Sequence, residues 1–226
     1  MPDTAVLFSG GLDSAVLLAD EARASAVHPL YVSTGLAWEA TERAIAARLL
    51  ASPPFAGRVQ PLVSLEFTVR DLYSPAHWAI RGVPPAYDTP DEDVYLVGRN
   101  LVLLAKAGIY AAQHRIGRLA LGPLAGNPFP DATPAFFEAM ARSLSLGLAH
   151  PIEIATPYRH LHKEDVIRRG VELAVPLDLT LSCMNPVGEM HCGACSKCRE
   201  RRDAFRAAGV EDRTKYAGAQ RPGASG

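Results

Sequence analysis

Near the amino terminus the chain reads Thr4-Ala5-Val6-Leu7-Phe8-Ser9-Gly10-Gly11-Leu12-Asp13-Ser14. Residues 4–8 form an apolar run typical of a short buried strand, and residues 14–24 have the apolar spacing of a helix. The two glycines between them allow a tight turn that brings backbone N–H groups and the positive end of a helix dipole against an anion. The segment therefore predicts a phosphate-binding loop between a strand and a helix.

Two common phosphate-binding motifs do not describe this loop. It lacks the Gly-Lys-Ser/Thr ending of a Walker A loop, and it is not GxGxxG. The alternative is a plain sharp turn in which Asp13 or Ser14 caps the helix. An Asp and a Ser at these offsets, directly after the first strand, favour phosphate binding over that alternative.

The rest of the chain alternates short apolar runs with helical patterns. We predict further strands at residues 30–33, 59–65 and 119–122, and helices at residues 39–51, 101–114, 134–148 and 162–172. Residues 71–93 are rich in Pro, Gly and Asp, which predicts a long loop. Strands that alternate with helices indicate an α/β fold with a parallel sheet covered on both faces.

Composition limits the class of protein. The 226 residues include 23 Lys+Arg and 24 Asp+Glu, and 48% are hydrophobic, as in an ordinary globular protein with one main domain. This charge balance argues against non-specific electrostatic binding to nucleic acid or to an anionic membrane. No apolar run approaches the roughly 20 residues of a membrane span, and residues 1–20 lack the pattern of a signal peptide. We therefore expect a cytoplasmic protein with reduced thiols.

All the cysteines stand close together, at Cys183, Cys192, Cys195 and Cys198. Two overlapping C-x-x-C pairs, with Gly193 permitting a tight turn, are typical of a structural zinc ion held tetrahedrally by four thiolates. A disulfide pair is the alternative, and an iron–sulfur cluster is disfavoured because the ferredoxin spacings are absent. His191 is adjacent and could compete as a ligand, but the four cysteines already complete the site. The helix that follows, over residues 199–206, is basic.

The loop resembles the PP-loop of the ATP pyrophosphatase superfamily. Members of that superfamily cleave ATP between its α and β phosphates and adenylate a substrate oxygen. The resemblance rests on Ser-Gly-Gly-x-Asp-Ser at residues 9–14. It implies an ATP site made of Phe8, Ser9, Gly10, Gly11, Leu12, Asp13 and Ser14, and an α/β sandwich that is Rossmann-like and of the adenine nucleotide alpha hydrolase type.

With the four cysteines at the other end, the chain resembles the 7-cyano-7-deazaguanine synthase family. Three middle segments agree: residues 95–100 are similar to the family's Val-Pro-Gly-Arg-Asn, residues 156–163 to its Thr-Pro-Leu…Lys, and residues 181–183 to its Ser-Cys-Tyr. Zinc that occupies every cysteine leaves no thiol for persulfide chemistry, which tells against the PP-loop enzymes that thiolate tRNA.

The resemblance implies an ATP-dependent ligase. Members of the family adenylate the carboxylate of 7-carboxy-7-deazaguanine, let ammonia displace AMP to give an amide, and use a second ATP to reach the nitrile. It implies ATP with Mg²⁺ as cosubstrate, one structural zinc ion per chain and a homodimer, with no nucleic acid or membrane as partner. It assigns Asp13, Lys163 and Arg99 to catalysis, and Asp131, Arg99 and Asn100 to the substrate.

This sequence departs from the family pattern in the base-pocket segment and in the loop. Leu12 stands where the family has Gln, residues 33–36 replace its Tyr-Gly-Gln, and Ala132 and Thr133 stand where it has Cys and Arg. Two other hypotheses therefore stay open. One is a PP-loop enzyme acting on another acid, a purine or tRNA, and the other is a non-catalytic zinc module that binds nucleic acid or protein.

The motifs also suggest a division of the chain into three segments. Residues 1–180 are predicted to form the ATP-binding α/β domain, and residues 181–210 the zinc-binding region. Residues 211–226 end in a run rich in Gly, Ala, Pro and Ser and are predicted to be a flexible tail.

Overall fold

The sheet confirms the predicted fold class. The structure, a computed structural model, describes residues 3–218. In this part of the chain five strands form one sheet, all of them parallel, in the order β3-β2-β1-β4-β5. The strands are β1 (Thr4–Leu7), β2 (Val27–Ser33), β3 (Val63–Glu66), β4 (Arg118–Ala120) and β5 (Glu153–Ala155).

Helices connect the strands and cover the sheet. They are α1 (Leu12–Glu21), α2 (Glu39–Leu50), α3 (Trp78–Arg81), α4 (Arg99–Gln113), α5 (Pro134–Leu148), α6 (Lys163–Glu172) and α7 (Ser196–Ala208). Helix α5 has the predicted bounds. The sequence prediction missed strand β5, whose residues Glu153, Ile154 and Ala155 do not form the apolar run that marked β4. The predicted long loop also contains the short helix α3 and a 3₁₀ turn, Asp91–Val94.

Alternate side chains of β1 pack into two hydrophobic cores, one on each face of the sheet, because successive side chains of a strand point to opposite faces. Val6 packs in the cluster built with α1, α2, α6 and α7. Ala5 packs in the cluster that contains Ala107 and Ala111 of α4 and Leu144 of α5. Both faces of β1 are thus buried, which explains why residues 4–8 read as a continuous apolar run.

The order of the strands determines where a ligand can bind. From β1 the chain proceeds to β2 and β3 on one side, and β4 and β5 lie on the other side. Such a reversal opens a crevice at the carboxyl ends of the strands where the two directions diverge. Here that point lies between β1 and β4, directly beyond which the predicted phosphate loop begins.

The carboxyl-terminal part packs against the α/β body. Helix α7 lies on α6, and the segment after it returns to the cysteine region. His191 N–H donates to Lys215 O at 2.9 Å and Ala217 N–H donates to His191 O at 2.7 Å. Residues 211–218 of the predicted tail therefore lie in contact with the rest of the protein. Residues 219–226 lie outside the described residues, and the three-segment division stays a prediction.

None of the helices in residues 3–218 combines the length and the apolar character that crossing a bilayer demands.

Candidate functional site

The loop after β1 has one position, Gly10, whose backbone conformation favours glycine. Gly10 has a φ of 76°, in the left-handed region that side chains disfavour. A Cβ atom there would also lie 3.1 Å from the backbone nitrogen of Ala46 in α2. The loop is held from outside because Leu181 N–H donates to Gly10 O at 2.9 Å. Helix α2 and the segment that leads to the cysteines therefore both support the loop.

The hydroxyl groups of the loop hold its own backbone. Ser14 Oγ donates to Gly11 O at 3.0 Å and accepts Ser9 N–H at 3.3 Å, while Gly11 N–H donates to Ser9 Oγ at 3.2 Å. The N-cap of α1 is Gly11, so no side chain caps the start of this helix. Asp13 and Ser14 lie inside the first turn of α1, so the alternative in which one of them caps the helix is wrong.

Asp13 belongs to a network of charges that comes from three helices. Lys163 Nζ, at the first residue of α6, lies 2.8 Å from Asp13 Oδ2 and 3.0 Å from Oε1 of Glu200 in α7. Lys197 Nζ lies 2.6 Å from the other oxygen of Glu200. The network brings together two predicted catalytic residues, Asp13 and Lys163, that stand 150 positions apart.

The network sets the charges of its members. Burial opposes the charge on Lys163, but the carboxylates of Asp13 and Glu200 outweigh it and raise its pKa. Burial likewise opposes the charge on Glu200, whereas Lys163 and Lys197 lower its pKa to about 2. Asp13 Oδ1 is buried and makes no hydrogen bond within the described residues. That oxygen is available to a donor or a cation that arrives with a ligand.

Two cavities adjoin at this point. The strand-end cavity, of about 270 Å³, lies beyond β1, β2 and β4 and is lined by the loop and by Leu7, Val32 and Gly122. The zinc-side cavity, of about 240 Å³, lies towards the cysteines and is lined by the charged network and by a set of large apolar side chains. The two cavities share four lining residues, which we call the junction: Gly11, Asp13, Glu42 and Arg99.

Aromatic side chains form the apolar wall of the zinc-side cavity. The rings of Trp38 and Trp78 are stacked, with centroids 5.7 Å apart and planes within 5° of parallel. Phe129 and Leu96 also line this cavity. Such a wall suits a flat heteroaromatic ligand. The sequence gives no sign of this role for Trp78, because nothing in the loop over residues 71–93 indicates which side chains turn inwards.

Glu42 is a junction residue that sequence analysis missed. Its carboxylate is buried, and it accepts hydrogen bonds from Tyr31 Oη at 2.9 Å and from Trp38 Nε1 at 3.2 Å. Burial raises the pKa of Glu42 to about 7, although Arg99 and the two donors partly oppose the rise. In the sequence it is one of several charged residues of the helix predicted over residues 39–51, so no local signal marks it.

The structure separates the three predicted substrate residues. Arg99 lines both cavities, and Asn100 lines the strand-end cavity. Asp131 lines neither of them. Asp131 is buried against the start of α4, where its Oδ2 accepts Asn100 N–H at 3.0 Å and its carbonyl oxygen accepts Asn100 Nδ2 at 2.8 Å. These are the contacts of a residue that holds a helix start in place.

The positions that depart from the family pattern also separate. Leu12 is buried and lines the zinc-side cavity. Ala132 and Thr133 line neither cavity, and Thr133 Oγ1 accepts Phe136 N–H at 3.2 Å, which caps α5. In this chain, residues 132 and 133 therefore contribute no side chain to the walls of the two cavities.

The cysteines form a candidate metal centre, as predicted. Their four sulfur atoms all lie within 4.8 Å of one another, and the spacings include 4.0 Å for Cys183–Cys195 and 3.5 Å for Cys195–Cys198. A zinc ion with bonds of about 2.3 Å sets tetrahedral sulfur atoms about 3.8 Å apart. Backbone N–H groups of Asn185 and Cys192 point at Cys183 Sγ, at 3.3 and 3.2 Å, which suits a thiolate.

Two neighbours of the centre have structural contacts. His191 Nε2 accepts Ser182 N–H at 3.0 Å, and burial lowers its pKa to about 3. It is not one of the clustered ligands. Arg201 of α7 is buried and donates to Thr180 Oγ1, Leu177 O and Thr214 Oγ1. It ties the cysteine region to the α/β body and to the returning segment, a role that sequence analysis missed.

Comparison with known proteins identifies close relatives of the chain. The family model described as queuosine biosynthesis protein QueC matches residues 3–209. A 7-cyano-7-deazaguanine synthase of Methanopyrus kandleri is 31% identical over 96% of this chain and 99% of that protein. One of Thiobacillus denitrificans is 36% identical, again over 96% and 99%.

A solved structure is more distant. It is titled as a predicted subunit of tRNA methyltransferase from Methanocaldococcus jannaschii, and it aligns with a TM-score of 0.49 and 17% identity over 76% of this chain and 75% of that chain.

Proposed function

The chain belongs to the QueC family of queuosine biosynthesis proteins, and from that membership we propose that it is a 7-cyano-7-deazaguanine synthase. The reaction converts the carboxylate of 7-carboxy-7-deazaguanine to a nitrile with ammonia and ATP. One observation carries the proposal beyond the names of the relatives. The glycine-rich loop after β1 and the zinc-side cavity with its aromatic wall meet at the junction, which contains Asp13 and Arg99.

We propose that ATP occupies the strand-end cavity. Its phosphates would lie on the backbone N–H groups of residues 8–14, at the start of α1, where the helix dipole favours an anion. Its adenosine would lie over the carboxyl ends of β1 and β2, against Leu7 and Val32, which line this cavity. Mg²⁺ bound to ATP would neutralise the phosphates. The unpartnered Oδ1 atom of Asp13 supports a role for this residue beside them.

We propose that the acid occupies the zinc-side cavity. A flat deazaguanine ring suits the wall formed by Trp38, Trp78 and Phe129. Its carboxylate would then lie towards the junction, where the guanidinium of Arg99 and the ammonium of Lys163 provide positive charge. This arrangement would bring the carboxylate oxygen towards the α-phosphorus of an ATP molecule in the other cavity.

The chemistry follows from this arrangement. A carboxylate is inert to ammonia, so an oxygen of the acid first displaces pyrophosphate from ATP and gives an acyl adenylate. Arg99 and Lys163 would stabilise the charge that develops on the phosphates as pyrophosphate leaves. Ammonia displaces AMP to give the amide. The amide oxygen then displaces pyrophosphate from a second ATP, and the loss of AMP together with the two remaining protons of the nitrogen leaves the nitrile.

The metal centre is proposed to be structural. Four thiolates complete a tetrahedral zinc site and leave no position for a reacting water. Zinc there would hold α7 in place, and with it Glu200 and Lys197 beside Lys163. A homodimer in the cytoplasm, with no nucleic acid or membrane partner, completes the proposal.

Incubation with 7-carboxy-7-deazaguanine, MgATP and ammonia tests the function. We expect mass spectrometry to show the amide and then the nitrile, together with AMP and pyrophosphate. ADP as the main acid-dependent product would overturn the PP-loop chemistry. A folded, zinc-loaded protein that exchanges pyrophosphate only with another acid would show a different acceptor. A requirement for added tRNA would overturn the small-molecule acceptor.

A further inference from the structure

Three carboxylates line the two cavities in the described part of the chain: Asp13, Glu42 and Glu200. Two of them are paired with ammonium groups. Asp13 lies 2.8 Å from Lys163, and Glu200 lies 3.0 Å from Lys163 and 2.6 Å from Lys197. A carboxylate held by a lysine is a weak proton acceptor because protonation would break the ion pair.

Glu42 differs from the other two. Its hydrogen-bond donors, Tyr31 Oη and Trp38 Nε1, are both neutral. Among residues 3–218 it forms no salt bridge within 4.0 Å. It faces both cavities, and only 9% of its surface is exposed. A carboxylate in this setting is a stronger base than an ion-paired one and is shielded from bulk water.

The proposed reaction needs a base at this place. When ammonia attacks the acyl adenylate, a C–N bond forms, the C–O bond to AMP breaks with its electron pair on AMP, and one proton leaves the nitrogen. When the amide oxygen has been adenylated, the C–O bond breaks again, AMP leaves, and the two remaining protons leave the nitrogen. The acid's adenylation, by contrast, requires no proton acceptor, because a carboxylate oxygen attacks directly.

We propose that Glu42 accepts, one at a time, the protons that leave the nitrogen in the amide-forming and nitrile-forming steps, and releases each proton to solvent before it accepts the next. The inference rests on the proposed function. It separates the reaction into a half that needs Glu42 and a half that does not. Asp13, Arg99 and Lys163 would serve the first half, which is the activation of the acid by ATP.

The groups around Glu42 determine the pH at which it can act. Tyr31 faces it from β2, Arg99 from α4, and Glu39 stands on its own helix. Burial raises the pKa of Glu42 to about 7, and the hydrogen bond from Tyr31 lowers it. We therefore expect the nitrogen steps to accelerate as the pH rises through about 7. Removal of the Tyr31 hydroxyl should move this rise to higher pH.

The test measures the two halves separately, in protein that unfolds cooperatively and contains zinc. With 7-carboxy-7-deazaguanine and MgATP but no ammonia, pyrophosphate exchange reports adenylation. With ammonia, amide and nitrile formation reports the nitrogen steps. We expect Glu42→Gln to keep exchange within about threefold of the wild type and to lower nitrogen transfer by about 100-fold or more, the usual effect of removing a general base.

Glu39→Gln is the matched control. Glu39 is also buried on α2, but it holds the end of β2 through Ser33, Thr34 and Gly35 and lines neither cavity. We expect the Glu39→Gln variant to retain both pyrophosphate exchange and nitrogen transfer. Tyr31→Phe should retain exchange and shift the pH profile of nitrogen transfer upwards, a change that a purely structural role of Glu42 would not produce.

Several outcomes would overturn the inference. Normal nitrogen transfer in Glu42→Gln would do so, and so would an equal loss of exchange and transfer, since Glu42 would then only shape the cavity. If Glu42→Gln does not fold, an unshifted pH profile in Tyr31→Phe would overturn it. Absence of exchange in the wild-type protein would instead overturn the proposed function.

Discussion

The metal centre draws its four sulfur atoms from residues 183–198, whereas the junction draws Asp13, Glu42 and Arg99 from three helices that are far apart in the chain. The two regions are nevertheless connected. Leu181, just before the first cysteine, donates to Gly10 of the loop, and Glu200, just after the last, binds Lys163. The comparison suggests that the metal centre serves the fold, and that the junction serves the chemistry. Four changes test that division.

The largest effect is expected at the metal centre. Cys195→Ser removes one thiolate from the proposed zinc site, and structural zinc sites have an apparent binding free energy on the order of 10 kcal/mol. We expect loss of zinc and of cooperative thermal unfolding, measured by elemental analysis and circular dichroism. His191→Gln is the control, because His191 is adjacent but not among the clustered ligands. If His191→Gln also lost the metal, the set of four cysteines would be incomplete.

The next effect is expected at the junction. Asp13→Asn removes the carboxylate beside Lys163, and we expect pyrophosphate exchange to fall by a factor of about 10²–10³ with little change in the melting temperature. Asp20→Asn is the matched control on the same helix. Asp20 binds Tyr158 and Arg169 and lies outside both cavities. Normal exchange in Asp13→Asn would make Asp13 a structural residue.

A smaller effect concerns the stability of the junction at different pH values. Glu42 has a pKa raised from 4.5 to about 7 in the folded protein. Between these values the folded state binds more protons than the unfolded state, so the free energy of unfolding falls as the pH rises. Glu42→Gln removes this fall. The free energy of unfolding of the variant should rise by about 3 kcal/mol relative to that of the wild type between pH 4 and pH 8.

Urea unfolding of both proteins at each pH measures that gain. Parallel stability curves for the two proteins would show that the Glu42 carboxylate ionises as easily in the folded protein as in the unfolded chain. The buried carboxylate would then not lower the free energy of unfolding. Such a result would contradict the division between a stabilising metal centre and a chemically specialised junction.

The smallest effect is expected at the aromatic wall. Trp78→Ala removes one ring of the stacked pair, and we expect the KM for the acid to rise about tenfold, or about 1.4 kcal/mol. The KM for ATP should stay the same, because Trp78 lines only the zinc-side cavity. Trp78→Phe should restore most of the affinity. Equal increases in both KM values would contradict the assignment of the two cavities to two substrates.

Several features could be predicted because their signal is local. The loop lies within residues 9–14 and the four cysteines lie within residues 183–198. Within such short segments the residue types and their spacing already indicate a tight turn and a cluster of sulfur atoms. The parallel sheet could be predicted because apolar runs alternate with helical patterns. Strand β5 could not, since its three residues carry no apolar run of their own and are held as a strand by their pairing with β4.

Other features depend on contacts across the chain. The position of Asp131 in the sequence favoured a role in substrate binding. In the structure its carboxylate instead accepts a hydrogen bond from Asn100 N–H at the start of α4. Glu42 and Trp78 had no local signal, yet the first lines both cavities and the second lines the zinc-side one.

The sequence by itself thus determined the class of fold, the glycine-rich loop after the first strand and the cluster of four cysteines. Only the tertiary structure decided which acid is paired with a lysine and which stays unpaired. The physical reason is that the pKa of a buried carboxyl depends on the charges and donors within a few ångströms of it. Helices α1, α2, α4, α6 and α7 bring those groups together from all parts of the chain.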